Sequence, residues 1–337
     1  RSVFQEASGS GQASFDPRAL AATEDIAMVQ STARALTNQG RTADAETLLK
    51  NADMAMYRAK ELGKNAFQVF SADMAAYGTA MRLLENALRS AVVRHEFELY
   101  YQPKVDMKSG RVIGAEALLR WHHPTRGMVA PGEFMSLAEE TGLIHEIGDW
   151  VLAEAAAQVH RWHAAGYTDL RVAVNLAAGQ FTATQLAERV QECLMREGCD
   201  PRAIEVEITE TSMLHDPQGV GQTLARLREM GLRVAIDDFG TGYSSLSHLK
   251  RFPIDTLKID KTFVADILTD KDDTAIVSAV IAMARALEIE VIAEGVETEA
   301  QRALLSSLGC DSYQGYLFSR PLPAGEFEAL LERAAPG

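Results

Sequence analysis

Beyond residue 96 the chain repeats one rhythm, a short run of apolar and β-branched residues followed by a longer stretch with helical periodicity. Its first two runs, FELYYQPKVD from Phe97 and VIGAEALLRW from Val112, break that rhythm, because only Met107 to Arg111 separates them. So few residues cannot form a crossover helix, and the two runs are expected to pair as an antiparallel hairpin. Six runs follow, RVAVNLA near 171, AIEVEIT near 203, RVAIDDF near 233, DTLKID near 255, EVIAEGV near 290 and a weaker SYQGYLF near 312. The segments between them are long enough for parallel crossovers. Eight strands, apolar on both faces and joined by right-handed crossovers, favour closure over an open sheet. The expected fold class is therefore α/β, a modified (β/α)8 or TIM barrel with an antiparallel first strand.

The rest of the chain is an appendage of helix and strand. Residues 1–45 contain SGSGQAS and little sustained period, so they read as a partly disordered lead-in with one helix from Ala22 to Leu36. Residues 46–72 carry a helix with Leu48, Ala52, Met56 and Ala59 on one face, closed by Gly63, and a strand from Phe67 to Phe70. A third helix, Met74 to Arg94, aligns Met81, Leu84, Leu88 and Val92 and leads into the barrel, which is assigned residues 73–337.

Polar residues interrupt the apolar runs at one place, the carboxyl ends of the strands, where barrels of this kind carry their working groups. These are Glu116, Asn175, Glu207 with Glu210, Asp237 with Asp238, Lys258 with Asp260, Glu294 with Glu297, and Gln314. Asp237 and Asp238 are adjacent, and neighbouring strand residues point to opposite faces, so both reach one target only if the backbone turns there. Gly240 and Gly242 are the expected turning points. Any single carboxylate in this set could be a cap or a satisfied core group. Their recurrence at one edge is better explained by cations, since carboxylates at that density repel one another. Oxygen ligands without Cys or His select hard ions such as Mg²⁺ or Mn²⁺, and the ligands suffice for two. Paired ions suit phosphodiester hydrolysis.

Charge and composition narrow the partners. A formal net charge of -14 argues against binding a nucleic-acid polymer. Three cysteines, Cys193, Cys199 and Cys310, have no metal-ligand spacing, and with the lack of any long apolar run they suggest a reduced, cytoplasmic setting without membrane contact. The start at Arg1 suggests a piece of a longer protein, such as the cytoplasmic part of a sensor. His160 and His163, three apart in QVHRWH, read as a solvated helix face, and His122 and His123 could touch a ligand. Neither a Gly-x-Ser-x-Gly elbow nor a phosphate-binding P-loop is present.

Taken together, EALLRW, NLAAGQF, EITET, DDFGTGYSSL, LKID, AEGVE and YQGYLFSRP resemble an EAL-type cyclic di-GMP phosphodiesterase over roughly residues 78 to 333. The resemblance implies hydrolysis of cyclic di-GMP to linear pGpG with two Mg²⁺ or Mn²⁺ ions, and a non-catalytic cyclic di-GMP receptor is the alternative. It implies metal ligation by Glu116, Asn175, Glu207, Asp237 and Asp238, with Glu294 as general base and Lys258 holding the attacking water. Gln102, Arg120 and Gln314 match positions at the dinucleotide and metal centre. Glu210 and Glu297 resemble glutamates that steady the loop from Phe239 to Leu246, and a homodimer is expected. Ala177, Met135 and Ser136 depart from the common pattern, but none is an implied ligand. AETLLKNADMAMYRAKELGKNAFQVFS resembles the end of a GGDEF-type domain, and the chain lacks that domain's signature.

Overall fold

The computed structural model describes residues 24–45, 47, 49, 72–181, 186–212, 216–240 and 252–334. The chain divides into two compact units, Arg1–Ala87 and Leu88–Gly337. In the first, helix α1 spans Glu24–Asn38, close to the expected position, and buries Ala33. Helix α2, Ala72–Ala91, gives its last turn to the second unit, with Leu88 and Ala91 buried. The helix and strand expected between residues 46 and 71, and with them the GGDEF-like stretch, fall outside the described residues apart from Thr47 and Leu49.

The second unit is a closed barrel. Strands β1 (Phe97–Asp106) and β2 (Val112–His123) form the expected hairpin, registered from Phe97 opposite Trp121 to Lys104 opposite Gly114. A short β3 (Gly127–Val129) extends it outside the circle. From β2 the sheet continues in parallel through β4 (Arg171–Leu176), β5 (Ile204–Thr209), β6 (Arg233–Phe239), β7 (Thr256–Ile259), β8 (Glu290–Ala293) and β9 (Ser312–Tyr313). Antiparallel pairing of β9 with β1, Tyr313 opposite Val105, closes it. A second short strand, β10 (Leu322–Pro323), lies on β1. The barrel thus has eight strands, and the antiparallel one is where the short hairpin loop required it. Strands β3 and β10 have two or three residues each and carry no period that the sequence could reveal.

Helices fill the connections: α3 (Pro131–Thr141), α4 (Ile144–Ala164), α5 (Ala178–Phe181), α6 (Leu186–Glu197), α7 (Pro217–Glu229), α8 (Lys261–Ala265), α9 (Lys271–Ala286), α10 (Glu299–Leu308) and α11 (Ala324–Ala334). Several start where an oxygen takes up the free amides of the first turn. Asp216, Asp260, Asp270 and Thr298 do this for α7, α8, α9 and α10, and Thr298 with Gln301 forms a capping box. Helix α4 packs on β4, α7 on β6 and α9 on β7 and β8.

Alternation along the strands then sorts the chemistry. In β5, Ile204, Val206 and Ile208 occupy one face and Glu205 and Glu207 the other, and all five are buried. The two glutamates meet lysines of β1 and β7 across the barrel lumen. One strand face therefore builds the apolar layer under the helices, and the other lines a polar interior that runs from Glu205, near the amino end of β5, to Glu207 and beyond.

Candidate active site

Lys258 is the centre of that polar interior. It belongs to β7 and is wholly buried, a position a cation holds only with close anionic partners. Its Nζ lies 2.6 Å from Glu207 Oε2, 2.7 Å from Glu294 Oε1, 3.1 Å from Asp237 Oδ2 and 3.5 Å from Glu116 Oε2. Strands β2, β5, β6 and β7 and the loop after β8 each supply one of these groups, which is why residues up to 178 positions apart converge on one ammonium. Burial works against that charge, but Glu116, Glu207, Glu294 and Asp237 outweigh it and hold the Lys258 pKa well above the usual lysine value.

Amides complete the ring. Asn175 at the end of β4 donates to Glu116 Oε1 at 2.8 Å, and Gln314 after β9 donates to Glu116 Oε2 at 2.7 Å and to Gln102 Oε1 at 3.0 Å. Gln102, in β1, donates in turn to the Ser319 carbonyl at 3.3 Å. Burial raises the Glu116 carboxyl, yet Lys258 prevails and leaves it below its ordinary value.

Two adjacent aspartates reach this ring by a local backbone device. Asp238 has φ 54°, and the pairing of β6 with β7 slips between Ile236 and Phe239. The left-handed residue makes a bulge, so Asp237 and Asp238 no longer face opposite sides of the sheet. The turn required by the sequence is therefore made by Asp238 itself. Gly240, with φ 99°, turns the chain again two residues later, and Gly242 lies outside the described residues. Burial and the neighbouring Asp237 and Asp260 carboxylates push Asp238 up to about 6. Glu294 is pushed further, to about 8, by burial, with Asp237, Glu116 and Glu207 adding to it against Lys258.

Five carboxyl groups thus surround one ammonium. Oxygens of Glu116, Glu207 and Asp237 lie within 4.8 Å of one another, and so do those of Asp237, Asp238 and Glu294. Asp237 belongs to both groups. The donor set is all oxygen, the buried Gln314 Oε1 has no partner among the described residues, and the Asn175 amide is engaged by Glu116. Such a set fits hard divalent cations, two of them sharing Asp237.

The remaining expected residues lie around this centre. Arg120, half-buried in β2, donates to the Leu119 carbonyl at 2.8 Å and stacks over the Tyr100 ring with 5.3 Å to the centroid. Glu210, just after β5, accepts from the Gly240 amide at 3.4 Å, the last described residue before the stretch 241–251. Glu297 is exposed, and among the described residues its amide is held by Gln301 Oε1 at 2.9 Å. Of the expected loop from Phe239 to Leu246, the part from Thr241 onwards lies outside the described residues. Asp260 caps α8 through the Thr262 amide at 2.9 Å. His122 pairs with Glu98 at 2.7 Å and His123 Nδ1 accepts from the amides of Thr125 and Arg126. His160 is exposed as expected, whereas His163 is bonded to the Leu170 carbonyl at 2.8 Å. All three cysteines are free and buried.

Residues 85–321 match the EAL domain profile. The chain belongs to the EAL domain family. Among curated proteins this EAL chain is similar to the bifunctional diguanylate cyclase/cyclic di-GMP phosphodiesterase MucR of Pseudomonas aeruginosa, 46% identical over 282 residues, which cover 84% of the chain and 41% of that protein. It is also similar to the cyclic di-GMP phosphodiesterase NbdA of the same organism, 43% identical over 286 residues, 85% of the chain and 36% of that protein. The chain therefore spans well under half the length of these relatives. Among solved structures, the phosphodiesterase of MucR in complex with c-di-GMP superimposes with a TM-score of 0.71 at 47% identity, over 73% of this chain and 99% of that one. No helix among the described residues is long and apolar enough to cross a membrane.

Two interior residues escaped the sequence reading, Lys104 of β1 and Glu205 of β5. Lys104 Nζ lies 2.6 Å from Glu205 Oε1 and 2.7 Å from Glu207 Oε1. The available signal was the period of two, since Gln102 and Lys104, like Glu205 and Glu207, are polar at i and i+2 of otherwise apolar strands.

Proposed function

We propose that this EAL domain hydrolyses one phosphodiester bond of cyclic di-GMP and releases linear pGpG. The observation that carries this reading is the pair of carboxylate triplets sharing Asp237 at the carboxyl end of the barrel, beside the buried Lys258. Glu116, Asn175, Glu207 and Asp237 would hold one Mg²⁺ or Mn²⁺ ion, and Asp237 and Asp238 the second. Bound there, the two ions would polarise the phosphoryl group, lower the pKa of water and stabilise the leaving oxygen.

The chain's own residues do the rest. Glu294, 2.7 Å from Lys258 and beside Asp237 and Asp238, would accept the proton of the attacking water in its ionised form, which bound cations would favour over the protonated form that burial promotes. Lys258, 2.7 Å from Glu294 and 3.1 Å from Asp237, holds these carboxylates in place and offsets charge that develops beside them. The water oxygen bonds to phosphorus, the bond to the ribose 3′ oxygen breaks, and that oxygen takes a proton to become the 3′ hydroxyl. Gln102 and Gln314 orient the dinucleotide, and Arg120 supplies a guanidinium for a phosphate that an acidic chain would otherwise repel. Glu210, through the Gly240 amide, and Glu297 steady the loop beyond β6, and the active assembly is a homodimer.

Incubation with cyclic di-GMP and Mg²⁺ or Mn²⁺, followed by separation of the nucleotides, tests the reading directly. Formation of pGpG that stops on chelation is the expected result. Binding of cyclic di-GMP with no pGpG would overturn it in favour of a receptor, and comparable cleavage of RNA would overturn the substrate class. Light scattering of the eluting protein checks the dimer.

A further inference from the structure

Beneath the carboxylate ring a second set of charges runs on down the barrel. Lys104 is inward-facing in β1 and only 7% exposed. Its ammonium lies between two carboxylates of the same strand, β5, that stand at i and i+2 on one face, 2.6 Å from Glu205 Oε1 and 2.7 Å from Glu207 Oε1. Glu205 is itself fixed from below. Its Oε2 accepts from Thr256 Oγ1 at 2.9 Å and lies 3.6 Å from Arg233 Nε, and Arg233 reaches Glu290 at 2.6 Å. Groups from β1, β5, β6, β7 and β8 therefore lock one lysine against one oxygen of Glu207. The other oxygen of Glu207, Oε2, is the one that shares Lys258 Nζ with Glu116 and Asp237.

A fully buried ion pair seldom adds much stability over an apolar pair of the same volume, because desolvation of both charges offsets their attraction. What it does fix is geometry. A glutamate carboxylate turns freely about its last bond, and a metal ligand that turns presents its oxygens at the wrong angle. Anchoring Oε1 removes that freedom and leaves Oε2 aimed at the ring. We propose that Lys104, held by Glu205, is a positioning residue for the metal centre, setting the carboxylate of Glu207 for cation binding. This rests on the metal centre described under Proposed function.

The test uses purified protein freed of metal, with Mn²⁺ alone as the probe in titration calorimetry and thermal unfolding recorded alongside. The double variant Lys104→Met with Glu205→Met removes one cation and one anion, so the net charge of the interior is unchanged. Its melting temperature should stay close to wild type while the Mn²⁺ Kd weakens about 10- to 100-fold. Turnover should fall at limiting Mn²⁺ and recover at saturating Mn²⁺, a rescue that a general loss of structure would not show. A folded double variant with the wild-type Kd would overturn the proposal. Should that variant not fold, Glu205→Gln decides. It keeps volume and leaves Lys104 matched by Glu207 alone, so the Kd should weaken by about tenfold, the lower end of the range for such supporting partners, and an unmoved Kd overturns the proposal. Wild-type protein that binds no Mn²⁺ would overturn the metal centre itself and this inference with it.

Discussion

Protons and cations compete for the same oxygens at the barrel mouth, and single residues set the terms. Asp238, at about 6, is protonated below that pH and ionised above it. A cation that needs the ionised form must displace the proton, so Mn²⁺ affinity of the metal-free protein should fall gently from pH 8 to 6, where Glu294 takes up a proton beside the same oxygens, and about tenfold per pH unit below pH 6. Calorimetry across pH 5 to 8 checks the sign, and Asp238→Asn should remove that dependence along with part of the affinity. Glu294 occupies a different place in the scheme. It shares Lys258 with Asp237 and Glu207 and is the proposed base, so Glu294→Gln should reduce turnover about 10² to 10⁴-fold. Binding of cyclic di-GMP should remain, and equal losses in turnover and binding would remove it from that role.

At the scale of elements, the site depends on how strand ends are trimmed. Strand β6 turns by a bulge at Asp238, and β9 stops after two residues, so Gln314 leaves the sheet towards Glu116. The loops after β8 and β9 are stitched together there, Gln314 donating its amide to Ala293 at 2.9 Å and accepting from the Val296 amide at 3.1 Å. Gly315 makes this approach possible, because a Cβ at that position would lie 2.0 Å from the Val296 carbonyl oxygen. Gly315→Ala must push the two loops apart. A loss of about 1–3 kcal/mol in unfolding free energy is expected from such overpacking. Turnover should drop as well, since Gln314 and Glu294 sit on the loops that move. Chemical denaturation with parallel turnover measurements tests both, and an unchanged midpoint would contradict the close approach.

For the molecule as a whole, the excess of acid at the site is a stability problem that a bound cation would relieve. Five carboxyl groups meet around one ammonium, and the chain carries a formal net charge of -14. A cation that binds the folded protein alone raises the unfolding free energy by about 2.7 kcal/mol at 100 times its Kd. Thermal unfolding with and without Mn²⁺ should show that gain at pH 7 and less of it at pH 5, where Asp238 holds a proton. The same charge would disfavour long polyanions, in line with the small dinucleotide proposed as the substrate.

The sequence by itself determined the architecture, because each barrel strand but the last is long enough to declare its period and the five-residue hairpin loop leaves one pairing for β1 and β2. It also determined the chemical nature of the site. Glu116, Asn175, Glu207, Asp237, Lys258, Glu294 and Gln314 are out of character in apolar runs, and the barrel brings them to one end. Strands β3 and β10 were not legible, since two or three residues show no alternation. Only the tertiary structure decided which oxygens meet. Lys104 is a polar residue in an apolar strand like many others until β1 closes the barrel and sets it between Glu205 and Glu207. Asp238 is one of two adjacent aspartates until a bulge, fixed by pairing with β7, turns it. Period and composition are properties of neighbours along the chain, whereas a ligand set is a property of strands that meet only when the sheet closes.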